Sequence, residues 1–346
     1  MKHLTLADLG WSNHFAAQIA DDPAQSNLVC RLSSVARDRL MGLSPGAEHL
    51  LVPPSDMTTG QFAVGDWVIT DPTRQKVTRR LTPLTELTRR AAGTGAEQQL
   101  IAANVDTLGI VSSCNADFNE ARLERYLALA ATAGCLPLVI LTKADQADDP
   151  HSYVRRAERL SPLVTAIALN ATEAEDAALL APWCKTGQTL ALVGSSGVGK
   201  STLSNALTGG EVATAGIRED DAKGRHTTTA RGLHRTRACG WLIDTPGMRA
   251  LRLSGAREGV DAVFADLDEL AKACRFSDCS HEAEPGCAIH AAIETGQVDP
   301  DRLRRWRKLQ AEDARNSETL AQARARDKSF GKLVRSVMKD KDRYRR

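Results

Sequence analysis

The chain has 346 residues, of which 42% are hydrophobic and 25% are charged, a balance typical of a globular protein of two or three domains. No run of about 18 apolar residues exists, and the first ten residues lack the apolar core of a signal peptide, so we expect a cytoplasmic protein without membrane contact. Eight cysteines in a chain this long do not indicate a secreted disulfide framework. Five of them are predicted to be ordinary buried thiols: Cys30, Cys114, Cys135, Cys184 and Cys239.

The net charge of +2 is unevenly distributed. Residues 302–346 contain 16 lysines and arginines against 6 acidic residues, so the rest of the chain is acidic. A basic C-terminal arm on an acidic body indicates a polyanionic partner, with nucleic acid the first candidate. A solvated charged face is the alternative interpretation.

The N-terminal third is predicted to contain an arm and a small β-barrel. Residues 1–27 give weak signals, consistent with one short helix or an irregular arm. Residues 28–95 contain recurring turn residues between short β-like runs, such as 62–70 with its turn signal at Gly65 and Asp66. This pattern predicts an oligonucleotide-binding (OB) type barrel that reads RNA, and a purely structural β-module is an equal alternative. Residues 88–95 are predicted to be a linker.

A nucleotide-binding domain is predicted over residues 96–255. An apolar strand at 108–111 is followed by a helical pattern at 122–133, which Gly134 ends, and by a second strand at 138–141. Alternating strands and helices predict a parallel, doubly wound α/β sheet. Ligands in such sheets bind at the carboxyl ends of the strands.

The second strand ends in Thr142, Lys143, Ala144 and Asp145, which resembles the guanine-specificity motif of GTPases. A carboxylate there can accept two hydrogen bonds from guanine, and adenine offers no such pair. The tetrapeptide alone is weak evidence, because a solvated Lys/Asp turn is its default interpretation.

The strongest motif is a phosphate-binding P-loop between the strand at 190–193 and a helical pattern. Its glycines allow backbone N–H groups to turn toward an anion, and Lys200 would reach the β- and γ-phosphates while Ser201 binds Mg²⁺. A glycine-rich turn that binds nothing is the alternative. The predicted phosphate-binding residues are Gly194, Ser195, Ser196, Gly197, Val198, Gly199, Lys200, Ser201 and Thr202.

Two further elements complete a GTPase pattern. The strand at 241–244 would deliver Asp244 to the Mg²⁺ site, and the Gly247 N–H would meet the γ-phosphate. Residues 224–229 are suited to a switch loop that closes on Mg²⁺. Because the base-reading motif precedes the P-loop by some fifty residues, we expect a circularly permuted domain whose second switch leads directly into the C-terminal region.

A metal site is predicted in the next segment, residues 256–300. Cys274, Cys279, His281 and Cys287 supply three thiolates and one imidazole within fourteen residues, a complete set for one structural Zn²⁺. Unpaired thiols near a loop histidine are the alternative.

Residues 301–346 are predicted to be a basic helical tail, with Arg304, Arg305, Arg307 and Lys308 beside Trp306 in contact with phosphates.

In this order the motifs resemble the ribosome small-subunit-dependent GTPase A family over residues 28–300. The segments 64–67 and 101–106 resemble it too. The resemblance implies an OB barrel, a permuted GTPase and an α-helical zinc domain in a monomer that acts in late 30S subunit maturation on 16S rRNA. It also implies slow conversion of GTP to GDP that the 30S subunit stimulates. Two features depart from the GTPase pattern: Thr142 replaces the commoner Asn, and the last base-binding loop, at 166–171, has no assignable contact residue.

The catalytic residues can be predicted only in part. Met248 follows Gly247, where many GTPases place a water-orienting Gln, and an apolar side chain cannot hold the water. We therefore predict catalytic roles for His226, Lys200 and Thr228, with Thr228 on Mg²⁺; loop packing or an RNA contact is an equal alternative for His226. Two other functions stay open: an RNA-binding assembly factor in which GTP only sets conformation, and a P-loop ATPase or kinase.

Overall fold

The computed structural model describes residues 4–90, 98–162, 164–210, 232–244 and 255–317. The predicted switch loop with His226 and Thr228, the γ-phosphate contact Gly247, and the C-terminal tail from residue 318 onward lie outside the described residues. No helix in the described ranges is long and apolar enough to cross a membrane.

The described strands fall into an N-terminal group and a nucleotide-domain group. Their bounds are β1 (Val29–Val35), β2 (Leu40–Ser44), β3 (Ala47–Leu51), β4 (Trp67–Thr70), β5 (Val77–Arg80), β6 (Glu86–Arg90), β7 (Gln98–Ala103), β8 (Thr107–Ser113), β9 (Leu136–Thr142), β10 (Thr165–Ala168), β11 (Thr189–Gly194), β12 (Gly232–Arg235) and β13 (Trp241–Asp244).

The described helices are mostly short. Their bounds are α1 (Asn13–Ala17), α2 (Glu120–Ala133), α3 (Pro150–Glu158), α4 (Ala174–Ala178), α5 (Lys200–Thr208), α6 (Arg257–Val263), α7 (Ala265–Lys272), α8 (Ala288–Glu294) and α9 (Pro300–Ser317). The predicted helix at 122–133 is confirmed as α2, which begins at the cap Asn119 and ends at Gly134 in the left-handed conformation.

The nucleotide domain is built on six strands in the order β10, β9, β8, β11, β13, β12. All neighbours are parallel except β12, which runs antiparallel to β13. Successive residues of β11 face opposite sides, since Leu190 and Leu192 join one core cluster with α5 while Ala191 and Val193 join the other with α2. The predicted doubly wound sheet is therefore confirmed.

The N-terminal strands β1 to β5 close a ring of pairings. β1 pairs with both β2 and β4, β2 with β3, and β4 with β5. The ring closes where Val52, just after β3, bridges Lys76 in parallel and accepts a hydrogen bond from the Val77 N–H at 3.0 Å. Its interior is a separate apolar cluster that includes Leu32, Leu51 and Val68. One pair, Ser34 with Gly232, joins the ring to the six-stranded sheet.

The predicted linker at 88–95 is wrong in its first part. Residues 88–90 belong to β6, which pairs antiparallel with β7 in a two-stranded sheet. The two arginines and nearby glycines concealed a strand because a hairpin partner, not the segment's own composition, decides the pairing.

The N-terminal arm packs at the junction between the ring and the sheet. Leu9 and Phe15 are buried, Trp11 contacts Trp67 edge-on, and the Trp241 indole N–H donates to the Asp8 carbonyl at 2.8 Å. The described part of the arm thus belongs to the core, and it contains the short helix α1 and a 3-10 helix at Pro23–Leu28.

The guanidinium of Arg31 in β1 joins three parts of this junction. It donates to the Leu9 carbonyl of the arm at 2.6 Å, to the Asn104 carbonyl at 3.1 Å and to the Thr189 hydroxyl at 2.7 Å. Burial lowers the pKa of Arg31 to about 10, opposed by the charges of Asp106 and Asp66. These bonds fix the ring to the first residue of β11, the strand that leads to the P-loop.

Helix α9 is docked on the body, which corrects part of the prediction for the basic tail. Arg302 and Arg305 both pair with the buried Glu124 of α2, and Arg307 pairs with Glu282. Arg302 and Arg305 therefore hold α9 on the body, the Arg307 pair lies at the surface, and Arg304 and Lys308 are exposed. A second correction concerns Cys239, which is exposed rather than buried.

Candidate functional site

The predicted P-loop joins β11 to α5 at the carboxyl edge of the sheet, in a shape that requires its glycines. Gly194, Gly197 and Gly199 have φ of +149°, +79° and +90°, which L side chains rarely adopt. A Cβ on Gly194 would lie 2.2 Å from the Val111 carbonyl oxygen of β8, so the loop also needs a glycine for close approach. The conformation of the loop therefore favours glycine at these three positions.

Lys200 begins α5 and folds back over the loop. Its Nζ donates to the carbonyl of Gly194 at 2.9 Å and to that of Ser195. Ser201 and Thr202 are exposed in the first turn of the helix, where free N–H groups and the helix dipole favour an anion. An ammonium group, a helix N-terminus and a glycine loop together form an anion site.

Thr142 supports the P-loop from the end of β9. Its buried hydroxyl lies 2.6 Å from the Val198 carbonyl of the loop and 3.0 Å from the Ser112 carbonyl of β8. Because a hydroxyl has one proton, the shorter contact to Val198 is its main bond. Thr142 in this position links the base motif to the phosphate loop.

The remaining base-motif residues lie in the turn that follows. Lys143 adopts the left-handed conformation at φ +57°, and Asp145 is exposed in the 3-10 turn Ala144–Gln146. The Ala144 N–H donates to the Leu169 carbonyl at 3.3 Å, which brings the predicted last base-binding loop beside this turn. In that loop the Asn170 Oδ1 accepts hydrogen bonds from the N–H and the hydroxyl of Thr172, which together form a turn. The sequence analysis did not predict this turn.

Asp244 ends β13 next to the P-loop strand. It pairs in register with Leu192 of β11, two residues before Gly194, and is half-buried. The structure therefore brings Asp244, the P-loop and Thr142 to one edge of the sheet.

Asp117 is a site residue that the sequence analysis missed. It lies in the loop between β8 and α2, and its Oδ2 accepts a hydrogen bond from the Ser195 hydroxyl of the P-loop at 3.0 Å. The two residues are 78 positions apart, and no motif marks Asp117, so only the packing of the loop on the P-loop identifies it.

The four predicted metal ligands converge. The ligand atoms of Cys274, Cys279, His281 and Cys287 all lie within 4.8 Å of one another. The His281 Nδ1 is 3.6 Å from the sulfurs of Cys274 and Cys287, and those two sulfurs are 4.0 Å apart. Tetrahedral zinc with about 2.3 Å to sulfur and about 2.0 Å to nitrogen would require about 3.6 Å and about 3.8 Å for these separations. The donor set and its spacing therefore fit a metal ion.

Surrounding groups hold the ligands in place. The Ala288 N–H at the start of α8 donates to the Cys274 sulfur at 3.4 Å. Hydrogen bonds of this kind orient the thiolates that bind metals. The imidazole of His281 packs on Trp306 of α9 with ring centroids 5.7 Å apart. The cluster thus ties α8 and α9 together.

Fold and site together define a class, the circularly permuted P-loop GTPases, in which the base motif precedes the P-loop. The structure is similar to the crystal structure of YloQ, described as a circularly permuted GTPase, with a TM-score of 0.57 and 20% identity, covering 84% of this chain and 96% of that one. It is also similar to YjeQ from Thermotoga maritima, with a TM-score of 0.58 and 23% identity over 82% of this chain and 97% of that one.

Sequence comparisons give the particular family. The model of the RsgA GTPase family matches residues 81–254. A Mesorhizobium japonicum protein named small ribosomal subunit biogenesis GTPase RsgA is 52% identical, over 90% of this chain and 91% of its own length. A Vibrio parahaemolyticus protein, small ribosomal subunit biogenesis GTPase RsgA 2, is 47% identical over 97% of this chain and 93% of its own. This chain belongs to the RsgA GTPase family and is a GTP hydrolase.

Proposed function

We propose that the protein hydrolyses GTP to GDP and phosphate during late assembly of the small (30S) ribosomal subunit, to which it binds through 16S rRNA. The observation that carries this proposal is the identity of 47–52% to relatives named small ribosomal subunit biogenesis GTPases over at least 90% of the chain. The likeness extends beyond the nucleotide domain, so it includes the regions that would hold the subunit. We place the protein in the cytoplasm as a monomer without membrane contact.

The nucleotide site is assigned to three groups of residues. Gly194 to Thr202 would wrap the phosphates, with Lys200 on the β- and γ-phosphates. Thr142, Lys143 and Asp145 would hold guanine, and binding of the base would cover the now exposed Asp145. Ser201, Asp244 and the switch residue Thr228 would hold Mg²⁺, whose role is to neutralise charge on the phosphates. The Gly247 N–H would meet the γ-phosphate.

RNA contact is assigned to the predicted OB-type barrel, residues 28–95, whose ring of strands is β1 to β5. The closed pairing of β1 with both β2 and β4, and the parallel bridge between the ends of β3 and β5, support this assignment. The exposed Arg37 and Arg39 follow β1, and although Arg39 pairs with the neighbouring Asp38, the segment carries net positive charge. The basic residues of the tail beyond residue 317 would add phosphate contacts.

One structural Zn²⁺ is assigned to the four-ligand cluster of the C-terminal segment, 256–300. Three thiolates and one imidazole leave no open position in a tetrahedral site, so the ion would stabilise the fold and not bind substrate. The packing of His281 on Trp306 means that the ion would also hold α9, the first part of the segment 301–346, in place.

His226 is assigned to the attacking water. The 30S subunit would order the loop 224–229 over the nucleotide, bringing His226 to the water and Thr228 to Mg²⁺. Ordering of this loop explains how binding to the subunit would stimulate a slow enzyme, since about 1.4 kcal/mol changes a rate tenfold.

Turnover of GTP and of ATP, with and without purified 30S subunits, tests the proposal. We expect GTP to be preferred and the subunit to stimulate its hydrolysis. ATP turnover equal to GTP turnover would contradict the base assignment. Subunit binding that depends on GTP without stimulated hydrolysis would instead favour an assembly factor in which GTP only sets conformation.

A further inference from the structure

The P-loop is held by strand ends and also by a carboxylate. Gly194 pairs with Val111 of β8, and the Thr142 hydroxyl contacts the loop from the end of β9. Asp117 contacts it from a connecting loop, through the hydroxyl of Ser195. An acidic side chain bonded to a phosphate-binding loop is unexpected, because it opposes the anion that the loop must bind.

The carboxylate of Asp117 is oriented by its neighbours. The Asn115 Oδ1 accepts the Asp117 N–H at 2.9 Å, which shapes the loop. Arg122, in the first turn of α2, lies 3.1 Å from Asp117 Oδ1 and also donates to the Asp117 carbonyl. One carboxylate oxygen thus faces Arg122 while the other faces Ser195. Asp117 is therefore held in a defined position, although its side chain is 39% exposed.

This arrangement has two consequences for a bound polyphosphate. While the Ser195 hydroxyl donates its single proton to Asp117, it cannot donate to a phosphate. In addition, the negative charge lies against the loop that surrounds the phosphates, within the range where like charges repel without full screening. The guanidinium of Arg122 offsets part of that repulsion.

We propose that Asp117 is a positioning residue that weakens nucleotide binding at the P-loop and so speeds the release of GDP, and that Arg122 sets the strength of this effect. The hydrogen bond from Ser195 holds the Asp117 carboxylate against the P-loop. The ion pair with Arg122 reduces the repulsion between that carboxylate and the phosphates. The inference rests on the proposed nucleotide site.

Release of a fluorescent GDP analogue from the full-length protein, followed by stopped flow with excess GDP, tests the idea. Asp117→Asn keeps an acceptor for Ser195 and removes the charge, so release should slow by about fivefold. Arg122→Ala leaves the charge unopposed, so release should become faster. The difference between Asp117→Asn and wild type should narrow as salt rises from about 0.05 M to about 0.5 M, because exposed charges are screened.

Opposite changes in the GDP release rate of the two variants distinguish an effect of the Asp117 charge from a purely structural role of Asp117. If Asp117 only braces the loop, both variants loosen it and both release faster, which would overturn the inference, as would two unchanged rates. Asp21→Asn is the matched control: it makes the same net charge change at an exposed position of the N-terminal arm and should leave release unchanged. If wild type fails to bind the analogue, the nucleotide site itself is wrong; if it binds and the variants do not shift, only this inference fails.

Discussion

The carboxylate of Glu124, fully buried in α2, accepts a hydrogen bond from Nε of Arg305 in α9 at 2.7 Å. Arg302 lies 3.2 Å from its other oxygen and also donates to the Val263 carbonyl and to Asp266. Helix α9 is therefore anchored on the nucleotide domain by a buried charge cluster. Arg302 and Arg305 are thus engaged within the fold, whereas Arg304 and Lys308 of the same helix are exposed.

Glu124→Ala should destabilise this anchorage. Two arginines would lose their buried partner, so we expect the free energy of unfolding to fall by about 3 kcal/mol. Urea unfolding followed by tryptophan fluorescence would measure the loss, since Trp306 lies in α9. Glu312→Ala is the control, because it breaks the more exposed pair with Arg125 and should cost less than about 1 kcal/mol. Equal losses would show that burial of Glu124 does not matter.

Base selectivity should depend on Asp145. Asp145→Asn exchanges a carboxylate oxygen for an amide donor that faces the donors of guanine, so preference should shift toward xanthine nucleotides, whose 2-oxo group accepts. Direct titration with GTP and with xanthosine triphosphate measures the shift. Asp148→Asn, an exposed acid shortly after the motif, should bind like wild type. GTP affinity that is unchanged in Asp145→Asn would remove this residue from the site.

Loss of one metal ligand should release the metal and loosen the C-terminal region. We expect Cys279→Ser to lose one equivalent of zinc and to unfold that region at lower temperature, because metal binding energy is folding energy there. GTP binding should survive, since the P-loop lies elsewhere. Cys239→Ser, at an exposed cysteine outside the cluster, should keep the metal. Elemental analysis of the purified proteins measures their zinc content. A wild-type protein that contains no zinc would refute the assignment.

The basic end of the tail should contact phosphates. Deleting residues 332–346 removes seven basic and two acidic residues. We expect weaker 30S association with a shallower salt dependence, because fewer counterions are released. Arg305→Ala should lower stability without changing the salt slope, since its partner is Glu124. A deletion that alters neither affinity nor slope would show that the tail is only solvated.

His226→Ala should separate binding from stimulated hydrolysis. GTP affinity and 30S binding should stay near wild type, while turnover on the subunit falls by about a hundredfold, the usual scale for loss of a group that handles a proton or water. Basal hydrolysis should change little, because the loop would be mostly open there. Persistent stimulation in this variant would mean that another group positions the water.

The sequence alone determined the parts of the molecule whose chemistry is local. The glycines before Lys200 are readable because a backbone that turns inward on phosphate needs positive φ at those positions. The metal ligands are readable because all four lie between residues 274 and 287. The order of base motif and P-loop showed the permutation, since order along a chain needs no structure to be seen.

Only the tertiary structure decided the contacts between distant residues. A charge run has the same composition whether it faces solvent, RNA or a buried acid, so Arg305 could be assigned only once Glu124, 181 positions away, was found beside it. Asp117 had no motif, and its contact with Ser195 follows from the packing of one loop on another. Strand β6 and the N-terminal arm were hidden for the same reason: their stability comes from partners that the topology supplies, and sequence-local propensity does not contain them.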